Sequence, residues 1–590
     1  MTEWLPLLVA GPLAAAALIT ALHRLLPQTV IDLLAGGTAA AVAAGSALAA
    51  IAARDGPLVV WIGGWTPREG AAIGVALAAD GLGAGFACLI ALLILAVIVF
   101  ARLYYGPTLR GLFQALLMIF LGGATGYCLT GDLFNLYVFF ELIGVTAFVL
   151  TAFRMEEDAL QGAMTFAVVN SLASVVLLAG IGVLYAAAGT VNLAELARAV
   201  PHADPGAVRL AFVLVIVGFL IKSAVVPFHF WLTDAYAGAA APVCVLFGGA
   251  SVSLGIFGAA RMLWTAFGLE ALPPGLVPAL FWPLGLATAL YAGLMALVEP
   301  NLKRVLALTT VAHVGVLLAA LGALSAEALA GAAAYLAGHA LAKAGLFMAA
   351  GLVILRTGSA AIDPPRRNAG LLGPVLLVAG GLMIADMPGS AISAGKAGIT
   401  GALGGVWGGA LVHGLTLASV LAGAAIVLAA LRLAFPGPTP DAPLPPDGRD
   451  KTTHQAIAGL GAVLMAAGIA AAHPGFLGEV GRAAAHFART ADVAATTLDG
   501  APFPPSPVVP PPARSGLSDL APPAAALALA ALLAWLDLLA RPLRRPVEAV
   551  LGLACRLHRL HTGNVGDYVA WAVAGLCAFG LATAALGSTG

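Results

Sequence analysis

Apolar residues run along this chain in blocks of about twenty or more, separated by short polar stretches. Inside the blocks hydrophobic and polar positions do not alternate, as they would in barrel strands. A helix rises about 1.5 Å per residue, so some twenty residues cross a hydrocarbon core of about 30 Å. Each block therefore predicts a membrane-spanning helix. Sixteen are expected, at about 5–25, 29–53, 79–101, 111–130, 132–152, 161–188, 207–235, 240–266, 274–298, 304–324, 327–355, 369–400, 408–434, 455–473, 520–540 and 567–587. The seventh and twelfth are unusually long and interrupted, by Pro227 and Pro388. Proline removes a helical hydrogen bond and clashes with the preceding turn. In a bilayer such a break survives only where protein covers it or where it lines a wet cavity.

Composition supports this reading. Of 590 residues, 61% are hydrophobic and 9% charged, against about 25% charged in soluble domains. Net charge is zero, and no basic tract offers a nucleic-acid surface. The start, MTEWLPLLVAGPLAAAALIT, lacks a basic leader region and reads as a first span, not a cleaved signal. The five cysteines, Cys88, Cys128, Cys244, Cys555 and Cys577, have no spacing for zinc or an iron–sulfur cluster. No cofactor or metal is expected in the chain, and any redox catalysis belongs to partner subunits. No nucleotide-binding loop marks a primary pump.

Loops after odd-numbered spans carry 17 Lys and Arg, and loops after even-numbered spans carry 8. The positive-inside rule then places the odd loops in the cytoplasm and both termini outside. The Ala-, Gly- and Arg-rich composition points to a GC-rich bacterial genome, and the expected location is a bacterial inner membrane. Residues 474–519 hold a short helical piece and a proline run, APFPPSPVVPPPARSG, read as an extended linker. Residues 541–561 read as a basic interfacial helix.

Of the 28 basic residues only five are lysines, and Lys222, Lys343 and Lys396 sit inside apolar spans. Arg stays protonated in proteins, whereas a desolvated Lys can release its proton near neutral pH. Ionisable groups in a span mark an ion or proton path by default. Glu141, in GDLFNLYVFFELIG, lies at a depth where it can pair with Lys222, in FLIKSAVVPFHFWLTDAY. Pairing keeps both charged and separation lets both become neutral, which makes a switchable proton site; a static ion pair is the plainer alternative. His229, two residues after Pro227, reads as a relay or as a cap for the broken helix. Asp234 is expected at an interface. His339 and Lys343, in AYLAGHALAKAGLF, share a helical face by their i, i+4 spacing. His313 adds a titratable group at mid-membrane depth. Lys396 follows Pro388 by eight residues, and Asp386 and His413 are expected at a channel mouth or an interface. Each broken span thus carries one lysine, on opposite sides of its break. This predicts two five-helix units of inverted topology, residues 104–270 and 271–435. They are flanked by an N-terminal segment (1–103), a fourteenth helix with linker (436–519) and a two-helix extension (520–590).

The segments GDLFNLYVFFELIG, KSAVVPFHFWLTDAYAGAAAPV, NLKRVLALTTVAHVG and HALAKAGLF resemble the proton-translocating antiporter-like subunits. That family includes the D subunits of Mrp-type sodium/proton antiporters, the large membrane subunits of respiratory complex I and counterparts in membrane-bound hydrogenases. The resemblance covers about residues 60–435 and implies an all-α polytopic fold with a fourteen-helix core, two inverted repeats and work beside other membrane subunits in a lipid bilayer. It implies that Glu141 and Lys222 are the acid–lysine pair, Lys343 the central-helix lysine with His339 as companion, and Lys396 the ionisable residue of the terminal channel. The end, HTGNVGDYVAWAVAGL, is similar to the C-terminal span of longer members. Two positions depart from the pattern: Ser253 stands where an eighth-span lysine is usual, and Gly389 replaces a second proline after Pro388. The expected function is proton translocation, with Na+ a second candidate ion, through Glu141, Lys222, His229, His313, His339, Lys343 and Lys396. The rival expectation is a non-conducting anchor for a hydrogenase-like, complex I-like or hydration enzyme, which Ser253 favours.

Overall fold

In the computed structural model the apolar blocks fold as helices. It describes residues 2–68, 71–106, 111–267, 271–362, 370–403, 408–435, 451–504, 517–538, 552, 555–557 and 560–587. Among these, fourteen helices are long and apolar enough to cross a membrane. The other two expected spans appear as shorter helices, Leu372–Ile384 in the interrupted twelfth and Ala521–Leu538 as the fifteenth. The chain is a polytopic helical membrane protein. Most of the proline run and of the expected basic helix, with Arg541, Arg544 and Arg545, lies outside the described residues.

Spans 4–8 and 9–13 repeat one construction. The first set is Gly111–Leu129, Leu133–Thr151, Glu157–Ala188, the broken pair Pro205–Lys222 and Phe230–Gly238, and Ala241–Ala266. The second is Leu276–Val298, Leu302–Gly322, Ala326–Thr357, the broken pair Leu372–Ile384 and Ala391–Ala402, and Gly408–Ala434. In each set the second helix starts on a side-chain cap, from Asp132 or Asn301, which satisfies amides that the first turn leaves open. Each third helix is 32 residues long and ends on a left-handed glycine, Gly189 or Gly358. The entry of the second helix bonds the exit of the third, Leu133 N to Val191 O and Leu302 N to Ala360 O, both 2.8 Å. In both breaks a non-glycine residue takes a left-handed backbone, Ala224 (φ 54°) and Asp386 (φ 64°). Each helix lies five spans before its counterpart, an odd number, so the second set runs in the opposite sense to the first.

Small residues set the packing. Gly285 and Gly315 bring the ninth and tenth spans so close that a Cβ on either would strike the other's backbone, the mode expected where lipid offers no hydrophobic drive. The eighth and tenth spans are enclosed along their apolar windows. The C-terminal helix Val565–Gly587 packs on the sixth, seventh and ninth spans, and Ala521–Leu538 packs on the thirteenth.

Three features depart from the sequence reading. Leu58–Trp61 and Ala76–Ala79 form an antiparallel hairpin in what was expected to be plain loop. Four-residue strands are too short for a period to register. Arg261, counted as a loop residue, is buried in an ion pair with Asp80 between the rings of Phe257 and Phe487. Lys303 is likewise buried in the first turn of the tenth span. Its amine donates to the carbonyls of Ala237 and Ala239 (2.8 Å to the latter), where the helix Phe230–Gly238 ends. These two came one from each side of the charge count, so the excess in odd loops is unchanged.

Removing one partner of a buried pair strands the other charge, at a cost of about 3–5 kcal/mol. Asp80→Ala should therefore lower the thermal denaturation midpoint of the purified protein in detergent sharply, and Asp80→Ala with Arg261→Met should recover much of it. Equal loss in single and double variants would show that the pair is not coupled.

Candidate functional site

Lys222 ends the helix Pro205–Lys222, at the point where the seventh span breaks, and is 1% exposed. Its Nζ lies over the rings of Phe140 and Phe166, 5.1 and 5.6 Å from their centroids, and has no hydrogen-bond partner among the described residues. Glu141 is half-buried on the fifth span. The structure does not join the two in an ion pair, contrary to the direct contact that the sequence suggests; Glu141 remains an electrostatic neighbour of Lys222 without touching it. Aromatic side chains take the space beside the amine. Buried oxygens without partners among the described residues, Ser223 Oγ beside the break and Asn170 Oδ1 and Ser174 Oγ on the sixth span, belong to the same set of helices.

The break itself is partly satisfied from the ninth span, where Thr288 Oγ1 accepts from Val226 N at 3.3 Å. Pro227 follows a cis peptide bond. His229 is buried against Tyr291, with ring centroids 4.8 Å apart. Asp234, expected at an interface, is instead buried. It accepts from Arg304 (3.0 Å) and from Tyr568 (2.9 Å), with His561 Nε2 at 2.9 Å. The final helix is thereby joined to the second half of the seventh span, and a Cβ on its Gly575 would collide with Phe228 and Pro227.

In the second set the polar groups connect. Lys343 donates to Leu306 O at 2.8 Å and to Thr309 Oγ1 on the tenth span. One turn earlier, His339 stacks beside His313 with centroids 4.7 Å apart. His313 Nδ1 bonds the Tyr335 hydroxyl. Ser419 on the thirteenth span adjoins Tyr335 and Asp386. Lys396 donates to Ser419 Oγ at 2.9 Å and to Leu415 O at 3.3 Å, and forms an ion pair with Asp386. Asp386 is 5% exposed and so is neither at a channel mouth nor at an interface; His413 is exposed. Pro388 lies between Asp386 and Ser390, whose side chain caps Ala391–Ala402.

The eighth span lies between the two clusters. Gly255 meets Ser223 at the seventh-span break, and Gly249 meets the backbone of Ala340 on the eleventh span. The helix is widened to a π turn over Phe247–Ser251, a distortion frequent at functional sites. Ser251 Oγ there is buried without a partner among the described residues, and Ser253 is buried two residues on. Sequence reasoning missed Tyr335, Asp386, Ser419 and Ser251 as members of this axis. For Tyr335 a signal existed: Tyr335, His339 and Lys343 are four residues apart and share one helical face. Among the described residues no three His, Cys, Asp or Glu side chains gather as metal ligands.

Residues 130–401 match the family described as "NADH:quinone oxidoreductase/Mrp antiporter, TM". Over 366 residues the chain is 35% identical to the N subunit of the NADH-quinone oxidoreductase of Desulforudis audaxviator, covering 61% of this chain and 72% of that one. The chain belongs to this family. It is also 32% identical over 240 residues to the D subunit of the Na(+)/H(+) antiporter of Alkalihalophilus pseudofirmus, 40% of this chain and 48% of that one. Among solved structures it superposes on a chain of the membrane-bound sulfane sulfur reductase, an archaeal respiratory membrane complex, with TM-score 0.71 and 25% identity over 84% of this chain and 99% of that one. A chain of the Mrp complex from Dietzia sp. shares the fold at TM-score 0.72 and 24% identity, with the same coverage. This antiporter-like subunit therefore carries the family's fold along most of its length.

A buried polar group without a partner costs about 1–3 kcal/mol. Lys222→Met keeps the length of the side chain and removes the amine, so it should raise the thermal denaturation midpoint of this antiporter-like subunit in detergent. A lower midpoint would mean that Lys222 is held by a stabilising partner.

Proposed function

We propose that this chain is the proton-translocating subunit of a multi-subunit membrane complex. The reading rests on one observation above all: Lys343, His339, His313, Tyr335, Ser419 and the Asp386–Lys396 pair follow one another through a helical core, hydrogen-bonded at His313–Tyr335 and Lys396–Ser419, with both ring nitrogens of His339 buried and without a partner among the described residues. Each can donate and, in one of its protonation states, accept a hydrogen bond, which is what proton hopping needs. Lys222 and Glu141 form the entry side, and the eighth span carries the connection. With Ser251 and Ser253 in place of a titratable group, water held by their hydroxyls completes that connection. His229 lines the seventh-span break. Movement of Glu141 toward or away from Lys222 changes how well the amine's charge is compensated, and this sets the direction of transfer.

The known relatives include both a quinone oxidoreductase subunit and an antiporter subunit. Other membrane subunits are accordingly the expected partners, and protons the transported ion, with Na+ an alternative cargo. The charge excess in odd-numbered loops favours a bacterial inner membrane with both termini outside. A second reading, a non-conducting anchor, draws on Ser253, which cannot hold a proton.

The intact complex in sealed vesicles separates the two. Lys222→Ala and Glu141→Gln should each cut proton transport at least tenfold while the subunit still assembles with its partners. Unchanged transport in both variants would support the anchor. Ser253→Lys should leave transport intact or raise it.

A further inference from the structure

The acid of the second five-helix set stands on the break itself. Asp386 occupies a left-handed backbone position (φ 64°) between Leu372–Ile384 and Ala391–Ala402. Glycine, asparagine and aspartate all enter that conformation, so the backbone admits a carboxylate there without requiring one. Its side chain is 5% exposed and faces groups from three helices: Lys396 across the break, Tyr335 of the eleventh span and Ser419 of the thirteenth. Oδ2 takes the Lys396 amine, while Oδ1 is buried with no partner among the described residues. On the far side of Tyr335 stands His313, then His339 and Lys343. Gly395 presses the helix bearing Lys396 onto the eleventh span at Tyr335, leaving no room for a side chain between them. The carboxylate thus sits where the series Lys343–His339–His313–Tyr335 meets Lys396.

We propose that Asp386 is a proton-carrying residue of the relay, taking the proton at Oδ1 and handing it to Lys396. The inference rests on the translocation reading above and adds a carrier to it. In the resting pair a carboxylate faces an ammonium, and the pair is neutral. A proton passed through the Tyr335 hydroxyl, which gives its own to the Ser419 hydroxyl and takes one from His313, moves on as Ser419 gives its own proton to Oδ1, and leaves the pair with one positive charge. The ammonium then has no counter-charge and releases a proton from Nζ to the side away from Tyr335. The carboxylic acid passes its proton to the neutral amine, and the ion pair is restored with one proton taken in and one given out. A carboxylate that only fixes the lysine needs just the Oδ2 contact, and a buried Oδ1 without a partner is then a cost with no return.

The test uses the complete complex in sealed vesicles, with proton flux read by a pH-sensitive dye under an imposed potassium diffusion potential. Asp386→Asn and Asp386→Gly both tolerate the left-handed backbone, so both variants should assemble. Each should lower proton flux at least tenfold, and Asp386→Glu should recover part of it with a displaced pH profile. The proposal is overturned if Asn and Gly variants keep full flux and an unchanged pH profile while Lys222→Ala abolishes flux: Asp386 then merely positions Lys396. If Lys222→Ala and Lys396→Ala also leave flux intact, the translocation reading falls, and this inference with it.

Discussion

An ammonium group inside a hydrocarbon core must be compensated where it stands or give up its proton. At the centre of a bilayer the uncompensated cost is about 2.5–3.5 kcal/mol or more, and the chain meets it three times in three ways. Lys222 is surrounded by aromatic faces, with a carboxylate nearby that does not touch it. Lys343 has two neutral oxygens, a backbone carbonyl and a threonine hydroxyl. Lys396 has a full counter-charge in Asp386, with Ser419 and a carbonyl around it. Compensation thus differs at each lysine along the axis, and a charge moving along it passes through environments that hold it unequally.

The backbone makes this arrangement possible. Within a continuous helix each carbonyl is already bonded and only its second lone pair can reach a buried amine, as Leu306 O does for Lys343 and Leu415 O for Lys396; backbone groups left without a helical partner need a break. The two breaks expose such groups, and each places an ionisable side chain at its edge, Lys222 before one and Asp386 within the other. Part of what is freed is then satisfied, by Thr288 of the ninth span at the first break and by the Ser390 cap of the broken span itself at the second. The final helix bears on the first break through Gly575, and through Asp234 it is tied to the segment that follows. A shift of that segment has to move the Asp234 cluster with it.

Much of this was legible from residue order. Length and hydropathy locate the spans because the bilayer allows only helices of that length, and proline marks both breaks. The lysines stand out because apolar surroundings make any charge conspicuous. Contacts across helices were not legible. The Glu141–Lys222 pairing looks natural from depth alone, yet Phe140 and Phe166 take the space beside the amine. Asp386 reads as a boundary residue in DMPG, and only the packing of three helices buries it. Tyr335 and Ser419 are common residues in spans, and they join the axis because Gly395 lets two helices approach closely. Arg261 lies where a loop residue is expected, and its role depends on Asp80, 181 positions away in sequence.

On the eighth span, serines stand between two lysine clusters. A cryo-electron microscopy map of the native complex, at a resolution that shows ordered water, tests this part of the axis directly. The account predicts water density joining Ser223, Ser251 and Ser253 and reaching Lys222 on one side and Lys343 on the other. A dry, close-packed eighth span with no water between those amines would contradict it.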